Sequence, residues 1–277
     1  MYTERQSLDA AQGRGSLDVA RRDGPYLAMK EENILEGHQW WLEPAAPPLA
    51  FKNRPDLVFE VEDSTSTKRG GRTTITREVY VLYGDYSQTI ITAQYDRDDP
   101  SQAALTQRHL PPPPPPSKND LELRHDQIGS QIIAISQAKL GSCVGDGSSL
   151  ALVNEVFSKL EGCLPSAGVR SHGALVYSNL GNSSTTQFDE IRPGDIVAFR
   201  SAVFQISGGL RGKSTTEVGK PDHVAVIQEW NGIKKKLKVL EQRREHKKVA
   251  HNSYKIGDLK SGEVHVFRPM PRSWVDW

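Results

Sequence analysis

The chain has 277 residues, 36% of them hydrophobic, enough for one or two domains with real cores, and a formal charge of +1. A charge that small supplies no global field to recruit nucleic acid or membrane, so any basic site must be local. Cys143 and Cys163 fit neither a metal-ligand nor a disulfide-framework pattern; with no apolar signal core and no window near the roughly 18 apolar residues of a spanning helix, a soluble, cytoplasmic protein is expected.

Residues 1–36 mix Gly, Asp, Arg and Ser without periodicity, and a disordered tail is expected there. Order should begin near "HQWWLEP", because Trp40, Trp41 and Leu42 are costly to leave in water. Over 37–107 the sequence predicts an N-terminal β-meander. Its strands are expected at 56–63, 73–83 and 87–96, where β-branched and aromatic residues recur. "STSTKRGG" reads as a flexible basic loop and "GDY" as a short turn. Three strands are rarely stable alone, so this extension should pack on the C-terminal part of the chain.

Residues 108–119 read as a linker built on six consecutive prolines, 111–116. The run imposes a polyproline II rod, about 19 Å long at ~3.1 Å per residue. Arg108, Pro111 and Pro114 match Arg-x-x-Pro-x-x-Pro, which an acidic Src-homology-3 (SH3) groove reads in one orientation. A stiff spacer is the alternative, and the two are compatible.

In residues 120–272, "LELRHDQIGSQIIAISQAKL" predicts a helix presenting Leu123, Ile128, Ile132, Ile135 and Leu140. A glycine-rich link leads to a second helix over 149–160, ended by "EGCLP". "GALVYSN", "GDIVAFR", "HVAVIQEW", "KKLKVLEQR", "HNSYKI" and "GEVHVFRP" then come in turn at strand length. Helices followed by an antiparallel sheet make an α+β architecture.

The stretch "CVGDGSSLALVNEVF" raises a chemical question. A papain-like site needs a nucleophile at a helix N-terminus, a His on a facing strand and a polar group that orients the His. The chain offers Ser148 or Ser149, then His223, then Glu241 or Gln242, with the turn "PGD" at 193–195 ahead of the His strand. A serine hydroxyl is far less acidic than a thiol, so Ser148 and Ser149 read as helix cap and first-turn residue. Cys143, the other possible nucleophile, precedes the helix and reads as a small loop or buried thiol. His223 otherwise reads as a strand-end histidine. His172, His246, His251 and His265 show no ligand spacing, and no metal or cofactor is expected.

"IKKKLKVLEQRREHKK" admits two readings. Lys234, Lys235, Lys236, Arg243 and Arg244 form a ribbon for anionic lipid head groups or an acidic partner, or the segment is a solvated hairpin with Leu237, Val239 and Leu240 inward. No nucleic-acid partner is expected.

From "HQWWLEP" to "VHVFRPM" the chain resembles the C-terminal region of the fungal myosin tail region-interacting proteins. The resemblance rests on "DLVFEVEDSTSTKRGGRTTITREVYVLYGDYSQTIIT", "VGDGSSLALV", "IRPGDIVAF" and "YKIGDLKSGEVHVFRP". It implies a papain-like, NlpC-like cysteine-proteinase fold, distantly related to CHAP and NlpC-type amidases and peptidases. It also implies a place in cortical actin patches, with actin-patch SH3 proteins and the type I myosin tail as partners in endocytosis. Active relatives start the helix with Cys, where this chain has Ser149. They commonly place Asn where Arg243 stands, and a cation there would disfavour an imidazolium. The expectation is therefore a non-catalytic interaction domain with a vestigial site of Ser149, His223 and Glu241. The alternative is an active amide or thioester hydrolase.

Overall fold

A computed structural model describes residues 25–31, 34, 35, 39–207 and 213–277. Most of the expected tail, residues 1–24 with 32, 33 and 36, lies outside the described residues. The remainder departs from that expectation. Leu27–Lys30 forms a single 3-10 turn whose first N–H groups donate to the Asp85 carboxylate (2.8 Å) and Ser87 Oγ (3.0 Å). Ala28 and Ile34 are buried in one cluster with Trp40, Trp41 and Phe51, so the chain joins the core before Trp40.

The first sheet is antiparallel, in the order β1 (Leu57–Thr67), β2 (Thr73–Tyr83), β3 (Gln88–Asp96), β4 (Ala103–Leu110). Strand alternation turns Leu57, Val79, Val81, Tyr83, Ile91 and Ala93 towards the two tryptophans. Arg77 locks that layer down, pairing with Asp63 (2.7 Å) and donating to the Trp41 (2.8 Å) and Glu43 (2.7 Å) carbonyls. Two expectations are corrected here. Half of "STSTKRGG" is strand, since β1 runs on to Thr67 opposite Thr73 and the turn is confined to 68–72. Arg108 belongs to β4, in register with Ile90, and not to the linker.

The meander sits on the rest of the chain through the C-terminal residues. Leu82 and Tyr86 share a cluster with Leu164, Ala167 and Val275, packed against Trp274 and Trp277. Arg272 pairs with Glu60 (2.5 and 2.9 Å), and Gln88 donates to the Val275 carbonyl. Residues beyond 272, outside the expected domain boundary, are therefore part of this contact.

After the proline run comes α1 (Lys118–Gln137), opened by a capping box in which Ser117 and Asp120 satisfy each other's main-chain N–H groups. Its buried face is Leu121, Arg124, Ile128, Gly129, Ile132 and Ser136. Leu123 is exposed, being about 200° around the helix from Leu121, and Leu140 lies past the helix end, also exposed. Both were expected on the apolar face. The second helix, α2 (Ser149–Ser158), comes after the glycine-rich link.

The second sheet contains β5 (Ala174–Leu180), β6 (Ser184–Gln187), β7 (Ile196–Ser207), β8 (Lys213–Val218), β9 (His223–Asn231), β10 (Lys236–Gln242), β11 (Val249–Lys255) and β12 (Leu259–Arg268). Its order is β11-β10-β9-β7-β12-β5-β6, with β8 paired to β7. α1 and α2 cover one face, meeting Ile196, Ala198, Val224, Val226 and Leu240. The other face carries Phe199, Ala225, Ile227, Leu237, Val239 and Tyr254. The architecture is α+β. Among the described residues no helix is long and apolar enough to cross a membrane.

The turn "PGD" positions α1 against this sheet. Gly194 has φ 90°, and a Cβ there would lie 2.8 Å from the Gly129 Cα in α1, so two glycines permit the close approach. Beside it, the buried Arg268 guanidinium donates to both Asp195 oxygens (2.9 and 3.0 Å), to Asp189, and to the Leu121 (3.2 Å) and Glu190 (2.9 Å) carbonyls. One side chain thus ties the start of α1 to the turn and to β12.

Candidate functional site

Where α2 begins, the two serines divide the work. Ser148 is the cap, its hydroxyl accepting from the Ala151 N–H at 3.3 Å. Ser149 is buried in the first turn, and its Oγ accepts from the Val224 N–H at 3.2 Å. The helix start and the histidine strand therefore meet at the residue after His223. Among the described residues no hydrogen bond joins Ser149 Oγ to the imidazole.

His223 itself lies opposite Phe199 in the β9–β7 register and stacks on that ring, so it belongs to the sheet face away from the helices. Its Nε2 is 3.0 Å from Glu241 Oε2. Burial works against charge on Glu241, yet the hydrogen bond and charge attraction of His223, with hydrogen bonds from Asn252 and Tyr254, outweigh it and hold the carboxyl down at about 2. A carboxylate so held is an acceptor only, so Nε2 carries the proton and a neutral ring has its lone pair on Nδ1. This is the tautomer a general base requires.

Three further groups complete the carboxylate's shell. Asn252 donates to Oε1 (2.7 Å), Tyr254 donates to Oε2 (2.6 Å), and Arg243 Nε donates to Oε1 (2.6 Å). Arg243 also donates to the Tyr254 hydroxyl at 2.6 Å. Its guanidinium, expected beside the base, is paired with the carboxylate that orients the ring. Asn252 and Tyr254 were missed in the sequence, because an edge strand reading "HNSYKI" looks solvated. Their spacing of two, on the strand opposite Glu241, was the available signal.

Gln242, the other candidate orienter, points elsewhere. Its amide nitrogen donates to the Val144 and Ser148 carbonyls (both 2.8 Å) while its oxygen accepts from the Val144 N–H (2.7 Å). It straps the loop ahead of α2. Of the two thiols, Cys143 is exposed beside that strap, and Cys163 is buried, its thiol pushed up to about 11 by burial despite Arg124 alongside. Among the described residues neither thiol bonds to His223. His172 is buried against Ser166 (2.9 Å) and lowered to about 4 by burial, and among the described residues no cluster suited to a metal ion occurs.

The basic ribbon does not exist as one patch. Leu237, Val239 and Leu240 point inward, and β10 separates Lys234–Lys236 from Arg243 and Arg244 by about 20 Å at ~3.3 Å per residue. Arg108, near the end of β4, and Pro111 and Pro114, on the proline rod, are exposed. Trp274 Nε1 donates to the Pro114 carbonyl at 3.3 Å, which lays the rod along the C-terminal turn.

A family model described as the AIM3/BBC1 cysteine proteinase-fold domain matches residues 106–277. The chain is 43% identical over 263 residues to the SH3 domain-containing protein C23A1.17 of Schizosaccharomyces pombe, covering 94% of this chain and 16% of that protein. It is 26% identical over 250 residues to the Altered inheritance of mitochondria protein 3 of Debaryomyces hansenii, covering 85% and 26%. The chain thus spans about a sixth to a quarter of the length of these curated relatives. No solved structure matches it.

Proposed function

The chain belongs to the AIM3/BBC1 family, with a cysteine-proteinase fold in its C-terminal part, and from that premise we propose that it is a non-catalytic protein-interaction domain of a cytoplasmic factor at cortical actin patches. In this reading its frame is of the papain and NlpC kind, and it acts with the type I myosin tail and actin-patch SH3 proteins in regulating actin assembly during endocytosis. The observation that carries the non-catalytic half is the bond from the Val224 N–H to Ser149 Oγ. A serine hydroxyl that accepts from the main chain, at the helix start where active relatives carry a thiol, supports this reading. The Glu241 shell then serves as a buried polar lock between β10 and β11.

One observation favours the rival reading, an amide or thioester hydrolase using Ser149, His223 and Glu241: the ring tautomer is set as a base requires. The interaction reading is tested with immobilised chain and purified myosin tail and actin-patch SH3 domains. The myosin tail should be retained equally by wild type and by Ser149→Ala. Retained SH3 domains should fall several-fold with Arg108→Ala, whose ion pair the acidic groove would lose. Failure to retain either partner contradicts the proposal, and equal SH3 retention by Arg108→Ala leaves the rod a spacer.

A further inference from the structure

The turn between β9 and β10, residues 232–235, carries an apolar side chain on which nothing packs: Ile233 is 99% exposed. It is not on a loose end. The Lys234 N–H donates to Asn231 Oδ1 at 2.9 Å, Asn231 faces Lys236 across the hairpin, and the Ile256 N–H donates to the Lys235 carbonyl at 2.7 Å. These bonds hold Ile233 at a convex apex. They also bring the segment after β11 alongside, where Asn182 donates to the Gly257 (3.1 Å) and Leu259 (2.6 Å) carbonyls and closes the same end of the sheet.

The charge at this end is one-sided. Lys234, Lys235 and Lys236 come directly after Ile233, Lys255 lies opposite Lys236, and Lys260 is the second residue of β12. Of the carboxylates nearest them among the described residues, Asp258 is paired with Lys255 at 3.1 Å and Glu229 with Lys238 at 2.5 Å.

We propose that this tip docks on an anionic lipid bilayer, Ile233 entering the head-group region while the lysines rest on the charged surface. The sign of the charge selects an anionic partner. The convex shape selects a deformable one, since a side chain at an apex needs its partner to supply the pocket. The cations are lysines, point charges without the planar fork that reads a fixed carboxylate geometry, which suits a diffuse surface better than an acidic protein. Arg243 and Arg244, at the far end of β10, take no part.

Co-sedimentation of the 277-residue chain with phosphatidylcholine vesicles, with or without about one-third phosphatidylserine, tests this. Wild type should pellet with the anionic vesicles at about 0.1 M salt, and lose binding at about 0.5 M. Ile233→Ser should weaken partition roughly tenfold, the loss of one buried isoleucine. Lys234→Gln with Lys235→Gln should weaken it by up to about fivefold per lysine, and Arg244→Gln should change nothing. All these side chains are exposed, so melting temperatures should stay level. Equal pelleting of wild type and every variant, no preference for anionic vesicles, or dependence on the lysines without dependence on Ile233 would each overturn the proposal. So would soluble polyglutamate competing fully with the vesicles, which would make the partner an acidic polypeptide.

Discussion

Glu241 Oε2 lies 3.0 Å from His223 Nε2, and both residues are buried on the sheet face away from the helices, while Ser149 reaches the same strand at the main chain of Val224. An acid–histidine pair is therefore intact next to a helix start that offers it no thiol. The two halves have different energetic consequences.

Ser148 and Ser149 are adjacent, yet their truncations should differ. Ser148→Ala removes a cap and should cost about 1 kcal/mol. Ser149→Ala leaves the Val224 N–H without its side-chain acceptor and should cost about 1–3 kcal/mol, more than the cap-scale loss a first-turn serine implies. Urea denaturation of the two variants compares them directly. A smaller loss for Ser149→Ala than for Ser148→Ala would show that the Val224 N–H is satisfied without it.

Acid should loosen the domain through Glu241. Its folded pKa, about 2, lies below the ordinary 4.5, so the fold favours the ionised form. That contribution is fully present above about pH 4.5 and is lost as pH falls towards 2. Its full size is roughly 3 kcal/mol. Glu241→Gln should be less stable than wild type at neutral pH, and its stability should fall less between pH 4.5 and 2. Parallel pH profiles would show that the carboxylate is not held in the ionised state.

Arg268 is a further buried charge on which the fold depends. Arg268→Leu leaves Asp195 buried without its partner and cuts the tie to the start of α1 at the Leu121 carbonyl. The cost should be about 3–5 kcal/mol. A loss under about 1 kcal/mol, read from the denaturant midpoint, would show that water replaces the guanidinium.

How far each element could be read from sequence depends on what its residues bury. β2 was legible to the residue, because Val79, Val81 and Tyr83 alternate against polar neighbours. β4, β6 and β8 were not, because "AALTQRHL", "STTQ" and "KSTTEV" have too little apolar alternation and owe their strand form to the neighbours they pair with. In α1 the reading took Leu123 for core and passed over Arg124, though helical spacing from Leu121 places the arginine inside. At the site, Ser149, His223 and Glu241 were read in the right order along the chain. The bonds that decide what they do run through the Val224 main chain, Asn252, Tyr254 and the Gln242 strap, and such contacts depend on register, which one-dimensional pattern does not carry.

The central claim, that the site holds an oriented histidine but performs no chemistry, is tested most directly by mass-spectrometric labelling with a fluorophosphonate probe on wild type and His223→Ala. No labelling of Ser149 that depends on His223 is expected. Stoichiometric fluorophosphonate labelling of wild-type Ser149, abolished by His223→Ala, would contradict the account and establish a serine hydrolase.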